Sequence, residues 1–285
     1  MRPFTIYHLF RDSFATLQQT LIDLVLKVAK PDLIFLLGAT LGRRRSESIF
    51  CQESPTASHI SDCFFLILMP ELAGKEPYEW QDKIENSCRA VLPVTTLVLE
   101  NFRFEEWLKE GHPFATSVQR SAMAIFDSGN FKIPIADAAP EEQVLNPLQK
   151  HEVDGLARAK EFLAGSEFFR IRKQYGLSAF MLHQSAEQSL RTLVKLGTGY
   201  RSHTHNIDRL IRYAGLAFYQ LPDIFPKKTE EGKRIFNLLQ SAYIAPRYNE
   251  TYKISTDDLL RLTKKVQWIH DILANAIKRH AHQQC

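Results

Sequence analysis

The segment from Phe180 to Val194 constrains the fold most, because it predicts a helix with two distinct faces. Leu182, Ala186, Leu190 and Leu193 recur at spacings of four, four and three. These spacings place the four side chains along one side of a 3.6-residue helix. We expect that side to face a hydrophobic core.

A second set of side chains on the same helix is polar. His183, Glu187 and Arg191 are four residues apart, so they stack on another side of the helix, beside Gln184 and Gln188. A polar stripe on an amphipathic helix is most often a solvated face.

Two later segments follow this helix in a recognisable order, Ser202-His-Thr-His-Asn-Ile-Asp-Arg-Leu210 and Ser241-Ala-Tyr-Ile-Ala-Pro-Arg-Tyr248. Together with the run His-Gln-Ser-Ala-Glu-Gln-Ser-Leu-Arg they resemble the HEPN domain. This is a small up-and-down helical bundle found in nucleotide-binding and RNA-cleaving proteins. The resemblance implies an all-α domain over residues 141–285 that binds a nucleotide or RNA and forms a homodimer.

The resemblance also implies where a ribonuclease site would lie. HEPN ribonucleases use an arginine to hold the scissile phosphate and a histidine, a few residues later, to move a proton. Arg247 matches the arginine, but the positions for the histidine hold Tyr252, Lys253 and Ile254. Tyrosine and lysine titrate at about pH 10. We therefore expect binding without cleavage.

Arg247 and Tyr248 are the first binding candidates, because a guanidinium and an aromatic ring suit a phosphate and a base. Four further polar residues complete the set: His183, Glu187, Arg191 and His205. Two alternatives stay open. In the first, Arg247 pairs with Glu187 and Tyr248 packs in the bundle. In the second, His205 replaces the missing histidine. A histidine at a helix start is, however, more often a cap or packing residue.

The first half of the chain predicts alternating strands and helices. We expect helices over residues 8–30, 77–91, 104–109 and 113–122, and strands over residues 32–38, 61–69, 93–100 and 123–126. Gly38 to Gly42 predicts a turn. Arg43, Arg44 and Arg45 follow, and residues 47–59 predict an exposed polar loop. The result is an α/β sheet domain over residues 1–135.

That order resembles the minimal nucleotidyltransferase fold. In this family a Gly-Ser turn cradles the triphosphate, and carboxylates from an Asp-x-Asp strand and a later strand hold two Mg²⁺ ions about 4 Å apart. Here Gly38-Ala39 replaces Gly-Ser, Asp62-Cys63-Phe64 replaces Asp-x-Asp, and Glu100 is the candidate for the later carboxylate. The resemblance implies the fold without the chemistry. No cofactor is expected, and Mg²⁺ would be needed only if transferase activity were retained. Asp62 can also simply cap a loop.

Beyond a proline-containing boundary at residues 133–142, the chain predicts helices. We expect them over residues 143–174, 177–196, 205–216, 228–244 and 256–280, with a possible break near Gly165. Ser255 and Asp258 predict a capping pair. The last helix has a stripe of apolar side chains: Leu259, Leu262, Val266, Ile269 and Leu273.

Composition supports two domains, and the charge of the second half fits either an anionic ligand or a surplus that serves only solubility. A length of 285 residues favours two cores. Residues 1–140 have a net charge of -3 and residues 141–285 a net charge of +7. The four cysteines lack metal-ligand spacing, and Lys27, Lys30 and Asp32 interrupt the apolar run near the N-terminus. We expect a cytoplasmic protein without a membrane segment.

The sequence therefore predicts an α+β protein, with a degenerate nucleotidyltransferase-like sheet domain over residues 1–135 and an all-α HEPN bundle over residues 141–285. The expected function is non-catalytic binding of a nucleotide or RNA, in a regulatory or defence role of the toxin–antitoxin type. The alternatives are an active nucleotidyltransferase that modifies a small molecule or protein, a HEPN ribonuclease, and a purely structural interaction module.

Overall fold

The computed structural model describes residues 11–41, 45–48, 60–134, 150–226, 229–244 and 252–282. The chain divides into two compact units, Met1–Val144 and Leu145–Cys285. The first unit has mixed strands and helices and the second is helical, so the predicted α+β class is confirmed.

A mixed sheet forms the centre of the first unit. The elements of this unit are α1 (Arg11–Val28), β1 (Leu33–Leu41), β2 (Arg45–Ser48), β3 (Ile60–Met69), α2 (Pro77–Cys88), β4 (Val94–Glu100), α3 (Asn101–Lys109), α4 (Pro113–Ser121) and β5 (Met123–Asp127). The strand order is β2-β1-β3-β4, and β5 pairs with β1. Strands β1 and β3 are antiparallel, whereas β3 and β4 are parallel.

The edges of this sheet are covered in different ways. Along one edge of β1, β5 pairs with Leu33–Leu36 and β2 pairs with Gly38–Leu41. At the other end of the sheet, Glu85 of α2 accepts the backbone N–H of Thr96 in β4 at 3.0 Å. A side chain therefore occupies a hydrogen-bonding position that a further strand would use.

Helices pack on both faces of the sheet, because β1 and β3 are apolar on both faces. Alternate residues such as Ile34 and Phe65 pack with α1 and α2 in one buried cluster. On the other face, the ring of Phe35 lies 6.3 Å from the ring of Phe104 in α3. The predicted strands and helices of this half are thus confirmed, with other ends that differ by a few residues; residues 8–10 of the first predicted helix lie outside the described residues.

Two predictions for the first unit are wrong. Residues 38–41 do not form a turn but continue β1, and Arg45–Ser48 form the short strand β2 in place of the beginning of the predicted loop. The glycine is accommodated by an irregularity in the pairing of β1 with β3, between Leu36 and Gly38. Glycine inside a strand often accompanies such a bulge. Residues 42–44, which include the end of the predicted turn and two of the three arginines, and residues 49–59 lie outside the described residues.

The second unit is built around one long helix. Its elements are α5 (Lys150–Ile171), α6 (Tyr175–Thr198), α7 (Ile207–Gly215), α8 (Leu221–Ile224), α9 (Glu230–Ser241) and α10 (Thr256–His282). Helix α6 packs against α5, α7, α9 and α10. The predicted apolar stripes of α6 and α10 are both fully buried, as the spacing required.

Local packing explains the remaining differences in the second unit. Helix α5 runs through Gly165 without the predicted break. A side chain at Gly155 would collide with Thr192 of α6, so glycine allows the two helices to approach closely. The predicted capping pair is confirmed, because the backbone N–H of Asp258 donates to Ser255 Oγ at 3.1 Å. The predicted linker, apart from residues 133 and 134, lies outside the described residues.

Candidate functional site

The polar stripe of α6 lies inside the second unit. The side chains of His183 and Glu187 are 0% and 1% exposed. A solvated face is therefore excluded for these two residues. The reason is the position of α6, which has helices packed around it and so has little surface left for water.

Glu187 is the centre of this cluster. Its two carboxylate oxygens lie 3.0 and 3.1 Å from Nδ1 of His205. One of them also lies 3.2 Å from a guanidinium nitrogen of Arg191. A buried carboxylate requires such partners, because burial of an unpaired charge is costly.

His205 is the exposed member of the cluster. Its side chain is 48% exposed, whereas the carboxylate that holds it is buried. The imidazole also stacks on the ring of Tyr243, with a centroid distance of 4.5 Å and an interplanar angle of 15°. Glu187 therefore holds the edge of the imidazole that contains Nδ1, and Tyr243 covers one face of the ring.

Arg191 connects Glu187 to the loop that carries His205. One terminal nitrogen of its guanidinium donates to the backbone carbonyl oxygens of His203 and Thr204 at 2.8 and 3.1 Å. The other faces Glu187. These contacts engage both terminal nitrogens of the guanidinium. Arg191 therefore positions the loop that carries His205 next to Glu187.

His183 forms the inner wall of the cluster. Its Nδ1 lies 3.7 Å from a carboxylate oxygen of Glu187, and its ring is 5.2 Å from the ring of Tyr243. Since the side chain is fully buried, a dissolved ligand does not meet it without a rearrangement. His183 therefore supports the site from behind.

The loop before α7 sets the position of His205. The side chain of Asn206 accepts the backbone N–H of Arg209 at 3.1 Å and caps α7. The backbone N–H of Asn206 donates to Thr204 Oγ at 3.1 Å. The cap is thus Asn206 and not His205, whereas the other expectation for His205, a packing role, agrees with its stacking on Tyr243.

The chain after α9 contributes Tyr243, and sequence reasoning did not select this residue as a site residue. The signal was present, because Tyr243 belongs to the segment that resembles the HEPN pattern. Arg247 and Tyr248 lie outside the described residues, so their predicted roles stay predictions.

Tyr252, at one of the positions where a ribonuclease histidine was sought, has a structural contact. Its hydroxyl donates to the backbone carbonyl of Leu238 at 2.9 Å. Burial, with a smaller effect from the charge of Asp258, raises the pKa of this hydroxyl well above its ordinary value of 10. Tyr252 is therefore poorly suited to move a proton at neutral pH.

The predicted carboxylates of the first unit do not lie together. Cys63 pairs with Val94 and Met69 pairs with Glu100, so Asp62 and Glu100 lie at opposite ends of the parallel strands β3 and β4. Seven residues of strand separate them, or about 23 Å. Asp62 instead accepts a hydrogen bond from Thr95 Oγ at 3.0 Å. Glu100 is thus not a metal partner of Asp62.

Gly38 lies closer to Asp62 but has a different conformation from the one predicted. Gly38 pairs with Phe64 inside the sheet. Asp62 pairs with Thr40, which lies two residues after Gly38 in β1. Residues 38–41 are strand and therefore form no turn that could cradle a triphosphate. The described residues also contain no cluster of three or more His, Cys, Asp and Glu side chains able to hold a metal ion.

Comparison with known proteins finds one similarity, and it lies in the helical unit. Within the described residues, no helix has both the length and the apolar character that a membrane span needs. No curated protein matches the chain. Residues 154–277 match the family model of the HEPN domain, which includes Glu187, His205 and Tyr243. The helical part of this chain is therefore similar to a HEPN domain.

Proposed function

We propose that the second unit binds a nucleotide or RNA, and that His205 is the described residue at the centre of its binding surface. The observation that carries this proposal is the half-exposed imidazole, held by the buried carboxylate of Glu187 and by the ring of Tyr243. A group fixed in this way costs little conformational entropy on binding. The match to the HEPN domain supports the class of ligand.

The charge of this half of the chain supports a phosphate-containing ligand. Residues 141–285 have a net charge of +7, against -3 for the preceding 140 residues. Positive charge attracts nucleic acid and makes binding dependent on salt. Arg247 and Tyr248 are proposed to complete the surface, by contact with a phosphate and a base.

We propose that neither unit is an enzyme. The separation of Asp62 from Glu100 supports loss of transferase chemistry in a nucleotidyltransferase-like first unit. The backbone contact of Tyr252 supports loss of the ribonuclease reaction. A binding protein of this kind fits a regulatory or defence role of the toxin–antitoxin type, and a cytoplasmic location is proposed with it.

The test is binding of fluorescently labelled short RNA and of nucleotides to the full chain at low salt, with anisotropy as the readout. We expect affinity to fall steeply as salt increases. Arg247→Ala should weaken binding by about 1–3 kcal/mol, the range for a charge-assisted hydrogen bond. Its melting temperature should stay nearly unchanged. Absence of binding at low salt contradicts the proposal, and a lower melting temperature would make Arg247 a structural residue.

We further propose that the protein is a homodimer that associates through its helical unit. Light scattering on the full chain at micromolar concentration should give twice the mass of 32.8 kDa. A monomer under these conditions contradicts the dimer without contradicting the binding proposal.

A further inference from the structure

A tight turn in the loop between β3 and α2 holds Lys75 next to Trp80. Ala73 and Gly74 have φ values of +50° and +71°, so both are left-handed, a conformation that alanine rarely adopts. The backbone N–H of Lys75 donates to the carbonyl of Leu72 at 3.1 Å and closes the turn. The same carbonyl accepts the indole N–H of Trp80 at 2.9 Å. One carbonyl oxygen therefore fixes both residues side by side.

Two lysine side chains meet over the ring of Trp80. Nζ of Lys75 lies 4.4 Å from the centroid of this ring, and Nζ of Lys83, on α2, lies 5.4 Å from it. The face of an aromatic ring attracts cations, so the indole draws both amines to one place. Hydrogen bonding to Lys83, followed by loss of hydration and by the charge of Lys83, lowers the pKa of Lys75 from its ordinary value of 10.5. The two like charges are therefore close enough to interact directly.

The nearest carboxylate does not neutralise this pair of lysines. Glu79 and Lys83 are four residues apart on α2, a spacing that favours an ion pair. However, Oε2 of Glu79 accepts the backbone N–H of Glu76 at 2.8 Å. The charge of Glu79 raises the pKa of Lys75 more weakly than Lys83 lowers it. Within the part of the chain that the structure describes, neither lysine forms an ion pair with a carboxylate, so the positive charge of the pair is not balanced.

The two lysines lie beyond the carboxyl end of β3. Lys75 belongs to the loop that follows this strand, and α2 then leads to the parallel strand β4. In open α/β sheets, ligands often bind outside the carboxyl ends of parallel strands. Lys83 is exposed and Lys75 is partly exposed, so a dissolved ligand can reach both amines. The unbalanced charge is thus accessible at an end of the sheet where binding sites are common.

The donors and the charge of the two amines match a doubly charged phosphate group. A lysine ammonium group has three N–H donors and no acceptor. A phosphate monoester has three acceptor oxygens and a charge of about −1.5 to −2 at neutral pH. It can therefore accept hydrogen bonds from both amines while its charge balances theirs. A phosphodiester or a carboxylate has a single negative charge and would leave one ammonium group unbalanced.

We propose that Lys75 and Lys83 form a subsite in the first unit for a doubly charged phosphate group, such as inorganic phosphate or a phosphate monoester. The subsite belongs to a different unit from the surface around His205, and it does not rest on the proposed function. A bound dianion replaces the repulsion between the amines with two ion pairs. Because the turn and the indole contact hold Lys75 beside Trp80 before binding, little further ordering is needed.

The experiment is acylation of lysines in the full chain at pH 8 by a limiting amount of an N-hydroxysuccinimide ester, with mass spectrometry to measure the rate at each lysine. Inorganic phosphate is the probe, and sodium chloride at the same ionic strength is the reference. We expect millimolar phosphate to slow acylation of Lys75 and Lys83, because a bound dianion shields the amines and stabilises their unreactive charged form. Lys109, an exposed lysine of α3 that pairs with Glu105, should show no such protection.

Lys83→Gln and Lys109→Gln form a matched pair of variants. Lys83→Gln should raise the phosphate concentration that half-protects Lys75 by about fivefold, the upper range for one exposed ion pair. Lys109→Gln should keep the wild-type value. Glu79→Gln should lower this concentration, because glutamine still accepts the backbone N–H of Glu76 but no longer repels the phosphate.

A nucleoside monophosphate and the corresponding nucleoside distinguish the sources of the phosphate group. Protection of Lys75 by the monophosphate supports the subsite, and a lower half-protecting concentration than that of inorganic phosphate would identify a nucleotide as the source. Four results overturn the subsite: no protection by phosphate, equal protection by sodium chloride, protection by the nucleoside alone, or an unchanged half-protecting concentration in Lys83→Gln. None of them bears on RNA binding by the second unit, which anisotropy measures separately.

Discussion

Each unit contains a carboxylate that the sequence singles out, and the two carboxylates have different surroundings. Asp62 in the first unit has the neutral hydroxyl of Thr95 as a partner at 3.0 Å. Glu187 in the second unit contacts an arginine and a histidine brought from α6 and from the loop before α7. The difference shows that contact of a buried carboxylate with both an arginine and a histidine, more than a motif position, distinguishes a candidate site.

The largest effect is expected when Glu187 is removed. Glu187→Ala should lower the free energy of unfolding by about 3 kcal/mol, because it leaves His183 and Arg191 without their shared carboxylate. Urea denaturation followed by far-UV circular dichroism measures the change. Glu161→Ala, at an exposed position of α5, is the control and should cost much less. Equal losses in the two variants would remove the distinction between Glu187 and an ordinary surface carboxylate.

The buried side chain of His270 should make the free energy of unfolding of the second unit depend on pH. The hydroxyl of Ser185 donates its hydrogen to the backbone carbonyl of Ala159 at 2.8 Å. Nε2 of His270 lies 2.9 Å from the same hydroxyl oxygen, so Nε2 is the donor and Ser185 Oγ accepts. Burial, followed by repulsion from Lys160, lowers the pKa of His270 from 6.5 to about 4. Between these values the unfolded chain binds more protons than the folded chain, so stability decreases as pH falls from 6.5 to about 4.

This loss should amount to about 2–3 kcal/mol. Urea midpoints at neutral pH and near pH 4 measure it, and His270→Gln should reduce the difference because glutamine keeps a donor without a titrating group. His203→Gln should behave as the wild type. If His270→Gln is equally sensitive to acid, the sensitivity comes from the carboxylates instead.

A smaller effect is expected at Asp62. Asp62→Ala should destabilise the protein by about 1 kcal/mol, the usual value for one hydrogen bond. Thr95→Val should cost a similar amount, and the double variant should cost less than the sum of the two. Additive losses in this cycle would show that the contact between Asp62 and Thr95 contributes nothing measurable.

We expect no nucleotidyltransferase activity from the first unit. Incubation with labelled nucleoside triphosphates, Mg²⁺ and candidate acceptors should give no labelling of acceptor or protein, because Phe64 cannot ligate Mg²⁺ and Glu100 lies at the far end of the strands. Labelling that Asp62→Ala abolishes would contradict the proposal that the first unit is inactive.

Sequence periodicity predicted the apolar stripes of α6 and α10 because spacing determines which residues share a face of a helix. It did not predict that Glu187 is buried, since the number of helices around α6 depends on tertiary packing. Tyr243 was missed for the same reason, because its stacking on His205 joins residues 38 positions apart in the chain.

The strands show a similar limit. The apolar runs of β1, β3 and β4 were predictable, but β2 is polar and its pairing with β1 could not be inferred from its composition. The helix between β3 and β4 is typical of a parallel pair, but the consequence for Asp62 and Glu100 was not drawn from it. The parallel orientation places Asp62, near the start of β3, and Glu100, at the end of β4, at opposite ends of the pair, although both lie in correctly predicted strands.

The covered edges of the sheet in the first unit affect aggregation. A long apolar strand such as β1 would, at an open edge, be a template for pairing with another chain. The short strands β2 and β5 divide that edge between them, and Glu85 occupies a backbone donor of β4. Destabilisation of β5, or loss of the Glu85 side chain, would therefore favour intermolecular strand pairing even where the sheet itself stays folded.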